Sequence, residues 1–239
     1  MRRHPLDPVS SVRKMPVAMN LSDLLRGRRV ILSISGGKDS AAVSLWLTEQ
    51  EIEHERIFAD TGWEHRLTYE HIRGVLTERL GPIVELRAPL SMVDLIRKKG
   101  MFPSRVARFC STELKFNVIR AYLVQREDDH VNAIGIRRAE SAARAAALEW
   151  EWNDDLDCEV WRPIVLWSRQ DVIEIHRRHR LPLNPLYLMG ASRVGCWPCI
   201  NASKKEIALV ARTDPGRIAV IRDLEGELLT KTDALLSAR

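Results

Sequence analysis

The 239-residue sequence contains no apolar run that approaches the ~20 residues needed to cross a membrane. Its first residues are basic but lack the continuous apolar stretch of a signal peptide. Aromatic residues make up only 6% of the chain, although 45% of all residues are hydrophobic, which is enough for a normal core. These absences argue against a membrane-spanning protein, and we expect a soluble, cytoplasmic chain with no membrane partner.

Cysteine is also scarce. Four cysteines in a chain of this length do not suit a secreted disulfide scaffold. Cys110 and Cys158 stand alone, whereas Cys196 and Cys199 form a Cys-Trp-Pro-Cys pair. Such a pair can provide two ligands of zinc or of an iron–sulfur cluster, or a redox dithiol. A structural zinc site usually needs two such pairs, and a thioredoxin-type dithiol begins a helix in a fold that this sequence does not suggest.

The net charge of +5 is concentrated near the beginning of the chain. Residues 1–29 carry seven basic and two acidic residues, which accounts for the whole excess. We interpret residues 1–28 as a basic N-terminal arm. Such an arm can contact nucleic-acid phosphates, but a solvated leader is the alternative, and no nucleic-acid-binding motif supports contact.

One stretch carries most of the functional information. The apolar run Val30–Ile34 enters the turn Ser-Gly-Gly-Lys-Asp-Ser at residues 35–40, and an Ala/Leu-rich helix follows. A strand, a glycine loop and a helix N-terminus in succession form a common phosphate pocket. The adjacent glycines, Gly36 and Gly37, exclude both a Walker A loop and the dinucleotide-binding glycine pattern, which need other spacings.

Strands alternate with helices along the rest of the chain. Strands are predicted at Val30–Ile34, Glu55–Ala59, Ile83–Ala88, Val131–Ile136 and Glu159–Ile164. Helices are predicted at Asp39–Glu49, Thr68–Arg79, Met92–Lys99, Thr112–Gln125, Arg169–His179, Lys204–Ala211 and near Arg217–Leu229. This order predicts an α/β fold with a mainly parallel twisted sheet, helices on both faces and a helical C-terminal part. Ligands of such sheets bind at the carboxyl ends of strands.

Three further expectations concern organisation. A nucleotide-binding α/β domain is predicted over residues 29–180, and residues 181–239 are expected to pack on the same domain. The acidic, Trp-rich segment Glu149–Glu159 is interpreted as an exposed excursion without an assigned function. His176 and His179 are expected to be surface histidines, because no other potential metal ligands cluster near them in sequence.

Ser35–Ser40 resembles the PP-loop of the ATP pyrophosphatases, which cleave ATP between the α and β phosphates. The resemblance implies a Rossmann-like fold of the adenine nucleotide α-hydrolase type, with ATP and Mg²⁺ as ligands. Asp60-Thr61-Gly62 resembles the second nucleotide-binding segment of that superfamily. The implied nucleotide-binding residues are Ser33, Ser35, Gly36, Gly37, Lys38, Asp39, Ser40, Asp60, Thr61, Gly62 and Gly135. Lys38, Asp39 and Ser40 are the implied catalytic residues, and Asp39 and Asp60 are candidate Mg²⁺ ligands.

The pattern Gly-x-Arg-x-x-Glu-Ser-x-x-Arg, which begins at Gly135, is similar to a segment of the phosphoadenylylsulfate (PAPS) reductase family that faces the sulfonucleotide. Guanidinium groups at a strand end can also grip phosphate or sulfate without any family argument. The predicted anion-binding residues are Arg108, Lys115, Arg137, Arg138, Glu140, Ser141 and Arg144.

The cysteine segments resemble the same superfamily, whose cluster-containing members hold a [4Fe–4S] cluster at such places. Those members typically have Cys-Cys where this chain has Phe109-Cys110. The resemblance therefore implies three ligands, Cys110, Cys196 and Cys199, with Cys158 or a non-protein ligand as the fourth. Metal-free thiols are the alternative.

Two enzymatic functions compete, with a non-catalytic nucleotide- or nucleic-acid-binding module as a third. The sulfonucleotide reductases carry a cysteine near their C-terminus and tend to lose the PP-loop, whereas this sequence keeps the loop and has no cysteine after Cys199. We therefore expect an ATP pyrophosphatase that activates an acceptor for sulfur transfer, with a sulfur donor protein as a possible partner. Nothing in the sequence distinguishes DNA, tRNA or a small molecule as the acceptor.

Overall fold

In the computed structural model, six strands form one sheet in the order β3-β2-β1-β4-β6-β5. The strands are β1 (Arg29–Ser33), β2 (His54–Asp60), β3 (Ile83–Arg87), β4 (His130–Ile134), β5 (Trp150–Asn153) and β6 (Cys158–Trp161). The structure describes the backbone of residues 21–237 and the side chains of residues 21–230. All neighbouring pairs are parallel except β5 with β6. The predicted mainly parallel sheet is confirmed.

Helices cover both faces of this sheet. The α-helices are α1 (Leu21–Leu24), α2 (Lys38–Glu49), α3 (Arg66–Glu70), α4 (Thr77–Leu80), α5 (Met92–Lys99), α6 (Phe109–Ser111), α7 (Asn117–Val124), α8 (Arg169–Arg178), α9 (Lys204–Thr213) and α10 (Pro215–Ser237). A π-helical segment, His71–Leu76, joins α3 to α4, and another, Thr112–Phe116, joins α6 to α7.

Strand β1 shows how the two faces are filled. Successive side chains of a strand point to opposite faces. Val30 and Leu32 lie in the apolar cluster that contains the buried residues of α2 and α8, whereas Ile31 lies in the cluster that contains those of α7. All three side chains are buried, which agrees with the central position of β1 in the sheet. The chain therefore leaves β1 near the middle of the edge formed by the carboxyl ends of the strands.

The C-terminal part of the chain is helical, as predicted. Helices α8 and α9 each begin with a serine whose side chain accepts the amide hydrogen three residues later, Ser168 for α8 and Ser203 for α9. On α10, Leu224 is buried in a cluster with Trp63. Arg97 of α5 pairs with Glu227 of α10 at 2.7 Å, which ties the last helix to the α/β domain.

The interpretation of Glu149–Glu159 as an exposed excursion is wrong. This segment forms β5 and the turn into β6, so it closes one edge of the sheet as an antiparallel hairpin. The indole of Trp150 stacks on that of Trp161 with ring centroids 5.1 Å apart. The cross-strand stacking of two large apolar rings stabilises this edge strand. Its acidic composition had indicated an exposed segment and not a strand.

The basic arm predicted over residues 1–28 lies mostly outside the described residues. Within the described part, Arg28 pairs with Asp129 at 3.0 Å and with Glu159 at 2.6 Å. Arg29 pairs with Asp128. These arginines are therefore neutralised by the domain itself. Among residues 21–237, no helix is both long and apolar enough to span a membrane.

Candidate functional site

The glycine loop between β1 and α2 is a tight cradle at the beginning of a 12-residue helix. Gly36 has φ +72°, and a Cβ added there would lie 2.7 Å from Cγ2 of Thr68, so only glycine fits. The Ser40 hydroxyl accepts a hydrogen bond from the Ser35 amide at 3.1 Å and donates one to the Gly37 carbonyl at 3.2 Å. The first amides of α2 are thereby set at the carboxyl edge of the sheet, where an anion is stabilised.

Gly135, at the end of β4, packs directly against this cradle. A Cβ at this position would lie 2.6 Å from the backbone nitrogen of Ser40 and 2.7 Å from the carbonyl carbon of Asp39. The two segments approach too closely for any other side chain. Gly135 therefore lies beside the loop through backbone-to-backbone contact, and its place in the nucleotide site stays a prediction.

Two side chains from the second half of the chain hold the loop backbone. Asn184 is buried, and its Nδ2 donates to the Gly36 carbonyl at 3.1 Å. The Nε2 atom of His176 lies 2.8 Å from the Lys38 carbonyl oxygen. The expectation that His176 is a surface residue is wrong, because only 3% of the residue is exposed. His179 follows the last residue of α8 and is partly exposed beside Glu49.

The charged side chains of the loop are already paired. Asp39 accepts from Nζ of Lys38 at 3.0 Å and from Nε of Arg137 at 2.6 Å, with one carboxylate oxygen for each. Arg137 is only 4% exposed and reaches the loop from the segment after β4. The structure therefore brings Arg137 to the predicted phosphate site, and Asp39 holds two cations beside it.

The other predicted anion-binding residues are more dispersed. Nε of Arg138 donates to the Ala147 carbonyl at 2.8 Å, and Arg144 pairs with Glu140. Ser141 is exposed, and Arg108 contacts Ser111 at the surface. Ser33, which is also predicted to bind nucleotide, contacts the buried Asn132 on β4.

Asp60 is buried, and both of its carboxylate oxygens accept hydrogen bonds from neighbouring groups, so neither is free to bind a metal ion. One of its oxygens accepts from the Gly62 amide at 2.8 Å and from the Tyr69 hydroxyl at 2.6 Å. The other accepts from Nε of Arg87 at 2.6 Å. A carboxylate so neutralised does not fit a magnesium ligand. Across the described residues, no three His, Cys, Asp or Glu side chains form a group that could hold a metal ion.

A second polar site, the thiol chamber, lies at the carboxyl end of the neighbouring strand β2. It comprises Thr61, Glu64, Lys115, Cys196 and Cys199. Glu64 is 3% exposed and accepts from the Thr61 hydroxyl at 2.8 Å. The Cys196 sulfur lies 3.8 Å from the Thr61 hydroxyl and 3.9 Å from a Glu64 oxygen.

The chamber couples a thiol to an ammonium group. Burial raises the pKa of Cys196, and the neighbouring Lys115 charge opposes this shift. Conversely, the Cys196 sulfur is the main cause of a raised pKa at Lys115. Lys115 therefore offsets only part of the effect of burial, and the pKa of Cys196 stays above its ordinary value, so the protonated thiol is the favoured form at neutral pH.

The cysteines do not assemble the predicted cluster site. Cys110 lies in the same apolar cluster as Cys196. Cys158, however, begins β6 at the opposite, amino end of the strands and packs with Ile31 and Ile57. Burial raises its pKa to about 11. Cys158 is therefore no fourth ligand, and among the described residues no three His, Cys, Asp or Glu side chains form a group that could hold a metal ion.

Sequence reasoning did not assign roles to several residues of these two sites. Glu64, Tyr69, His176, Asn184 and Tyr187 all contact predicted site residues. Asn184 and Tyr187 are the first and last residues of the sequence Asn-Pro-Leu-Tyr at residues 184–187, a motif from which a role for both could have been predicted. For His176, the i to i+4 helical pattern with Val172 indicated the buried face of α8.

Comparisons with known proteins agree with this fold. The phosphoadenosine phosphosulfate reductase domain family matches residues 29–202. An uncharacterised 37.8 kDa protein of Escherichia phage 186 is 35% identical in an alignment 247 residues long. The alignment covers 82% of this chain and 74% of that protein.

Among solved structures, a PAPS reductase from Candida auris, in a phosphate complex, superimposes with a TM-score of 0.58 at 15% identity and covers 74% of this chain and 85% of its own. FMN adenylyltransferase from Candida glabrata, solved with FAD and inorganic pyrophosphate, gives 0.55 at 14% identity, over 73% of this chain and 58% of its own. At these identities the likeness establishes the fold.

Proposed function

Because the chain belongs to the phosphoadenosine phosphosulfate reductase domain family, we propose that it binds ATP at Ser35–Ser40 and cleaves it between the α and β phosphates. The observation that carries this proposal is the loop itself: an intact glycine cradle at the N-terminus of α2, with Lys38 and Arg137 both held by Asp39. Two cations and several helical amides suit the polyphosphate end of a nucleotide.

The proposed reaction is adenylyl transfer. An oxygen of the acceptor attacks the α-phosphorus, the bond to the bridging oxygen of the β-phosphate breaks, and pyrophosphate leaves with the electron pair. Amides of α2 and the Lys38 ammonium stabilise the charge that develops on the leaving group. Asp39 acts as a positioning residue for Lys38 and Arg137. Mg²⁺ would arrive bound mainly by the phosphates and would neutralise their charge, which fits a site whose carboxylates are already paired.

We propose sulfur as the atom delivered to the activated acceptor, which releases AMP. This part is supported by the thiol chamber, where Cys196 lies beside Lys115 at the end of β2. Strand β2 neighbours β1, which leads into Ser35–Ser40, the loop proposed to bind phosphate and called the phosphate loop below. A persulfide-bearing donor protein is the class of partner that would supply the sulfur: its outer sulfur displaces AMP and forms a disulfide between donor and acceptor. A second thiol then attacks the donor sulfur of that disulfide, which leaves a disulfide between donor and thiol and releases the acceptor's new sulfur as a thiolate. No step is assigned to an iron–sulfur cluster, because the described cysteines do not fit one.

A sulfonucleotide reductase is the second candidate. It is favoured by the family description and by the Candida auris structure, whose name is that of such a reductase. It would use a thiol to attack the sulfur of the sulfonucleotide and release a nucleotide and then sulfite. The cradle argues for ATP, because a sulfonucleotide lacks the pyrophosphate that these amides suit.

The deciding experiment gives the purified chain each nucleotide in turn. With ATP and candidate acceptors (tRNA, DNA or small molecules), we expect AMP and pyrophosphate in equal amounts. With adenylylsulfate or its phosphorylated form plus a thiol reductant, we expect no sulfite. Sulfite formation would replace the proposal with the reductase, and ATP binding without any AMP would indicate a non-catalytic nucleotide-binding module.

A further inference from the structure

The phosphate loop has one contact that adenylyl transfer does not explain. The backbone amide of Lys38, at the start of α2, donates a hydrogen bond to the hydroxyl oxygen of Tyr187 at 3.2 Å. The Lys38 ammonium also lies 5.0 Å from the centre of the Tyr187 ring. This phenol therefore stands among the groups that the proposed function assigns to phosphate.

The hydroxyl is held in this position by a rigid turn. Tyr187 ends the 3₁₀ segment Pro185–Tyr187, which Asn184 caps by accepting the Leu186 amide at 3.0 Å. Leu186 is fully buried, and Asn184 simultaneously binds the Gly36 carbonyl. A Cβ placed on Gly37 would lie 3.3 Å from the Tyr187 oxygen and 3.4 Å from Oγ of Ser35. The phenol is thus positioned together with the loop and borders the same space as Ser35.

The hydrogen of this hydroxyl is available. Among residues 21–230, no acceptor for it lies within hydrogen-bond distance, since the contact with Lys38 uses the oxygen as an acceptor. Burial raises the pKa of Tyr187 to about 12, so the phenol remains protonated at neutral pH. A half-buried O–H donor without an acceptor, beside two cations and a helix N-terminus, matches an anionic oxygen.

We propose that Tyr187 is a phosphate-binding residue that donates its O–H to an oxygen of the pyrophosphate half of ATP while its own oxygen keeps the Lys38 amide bond. The Lys38 amide is then linked to the phosphate oxygen through the Tyr187 hydroxyl, which lies between them. This inference rests on the proposed function, since it needs a polyphosphate at Ser35–Ser40.

The test compares Tyr187→Phe with the unaltered chain in calorimetric titrations with inorganic pyrophosphate, ATP and AMP. A hydrogen bond to a charged oxygen is lost in the variant, so we expect roughly tenfold weaker binding of pyrophosphate and ATP. AMP, which lacks the pyrophosphate half, should bind equally to both proteins. Tyr122→Phe is the matched control, because the Tyr122 hydroxyl bonds Glu55 on the other face of the sheet and should leave all three affinities unchanged.

Two results would overturn the inference alone. Equal pyrophosphate affinity in Tyr187→Phe would show that the phenol makes no contact, and tighter affinity would show that it competes with phosphate for the Lys38 amide. In either case, ATP cleavage by the unaltered chain would leave the proposed function standing. If the unaltered chain binds neither ATP nor pyrophosphate, the proposed function fails and the inference fails with it.

Discussion

The phosphate loop and the thiol chamber lie at the ends of adjacent parallel strands, β1 and β2, but are built differently. The loop is contiguous, and most of its groups are backbone amides and hydroxyls within six residues. The chamber joins side chains from three separate segments, Thr61–Glu64, Lys115 and Cys196–Cys199. A site made by local backbone geometry is readable from sequence spacing, whereas one made by packing is not.

The largest effect should come from the loop. Lys38→Ala removes the ammonium that we propose to stabilise the leaving pyrophosphate, and we expect pyrophosphate release to fall by roughly 10²–10³-fold. Lys98→Ala, which removes an exposed ammonium from α5, is the control and should keep the full rate. If Lys38→Ala releases pyrophosphate at the rate of the unaltered chain, Lys38 does not stabilise the leaving group and the function proposed for the loop is contradicted.

The next effect measures how tightly the loop is packed. Gly135→Ala forces a methyl group against the backbone of Asp39 and Ser40, and overpacking of this kind should cost about 2 kcal/mol in the free energy of unfolding. Urea unfolding gives this value. Gly74→Ala is the matched control, because nothing lies within 4 Å of its new methyl group and alanine favours a helix. Equal stability of the two variants would mean that β4 and the loop do not touch as described.

The smallest effect should come from the thiol chamber. Lys115→Met removes the charge that lowers the pKa of Cys196 against the effect of burial. The pKa of Cys196 should therefore rise further, so less thiolate is present at any given pH. The pH dependence of Cys196 alkylation, followed by mass spectrometry, measures this shift. Lys99→Met, which breaks the surface pair with Glu113, is the control. An unchanged profile in Lys115→Met would contradict the coupling.

The predicted elements agree with the structure to within a few residues where a long periodic pattern carried them. Met92–Lys99 was predicted with the bounds that α5 has, and the Arg169–His179 prediction matches α8 to one residue. Strand β5 was missed because its stability comes from a cross-strand contact between Trp150 and Trp161, which no local pattern contains. His176 was misplaced for a related reason, since its partner is a carbonyl 138 residues away.

The sequence by itself determined the α/β fold and the place of the glycine loop at the end of the first strand, because strand periodicity, turn chemistry and helix N-termini are local properties. Tertiary structure alone decided what the charged groups do. It paired Asp39 with Lys38 and Arg137, enclosed Asp60 among donors and set Lys115 against Cys196. Charges act through distance and burial, and both are fixed only when segments far apart in the chain meet.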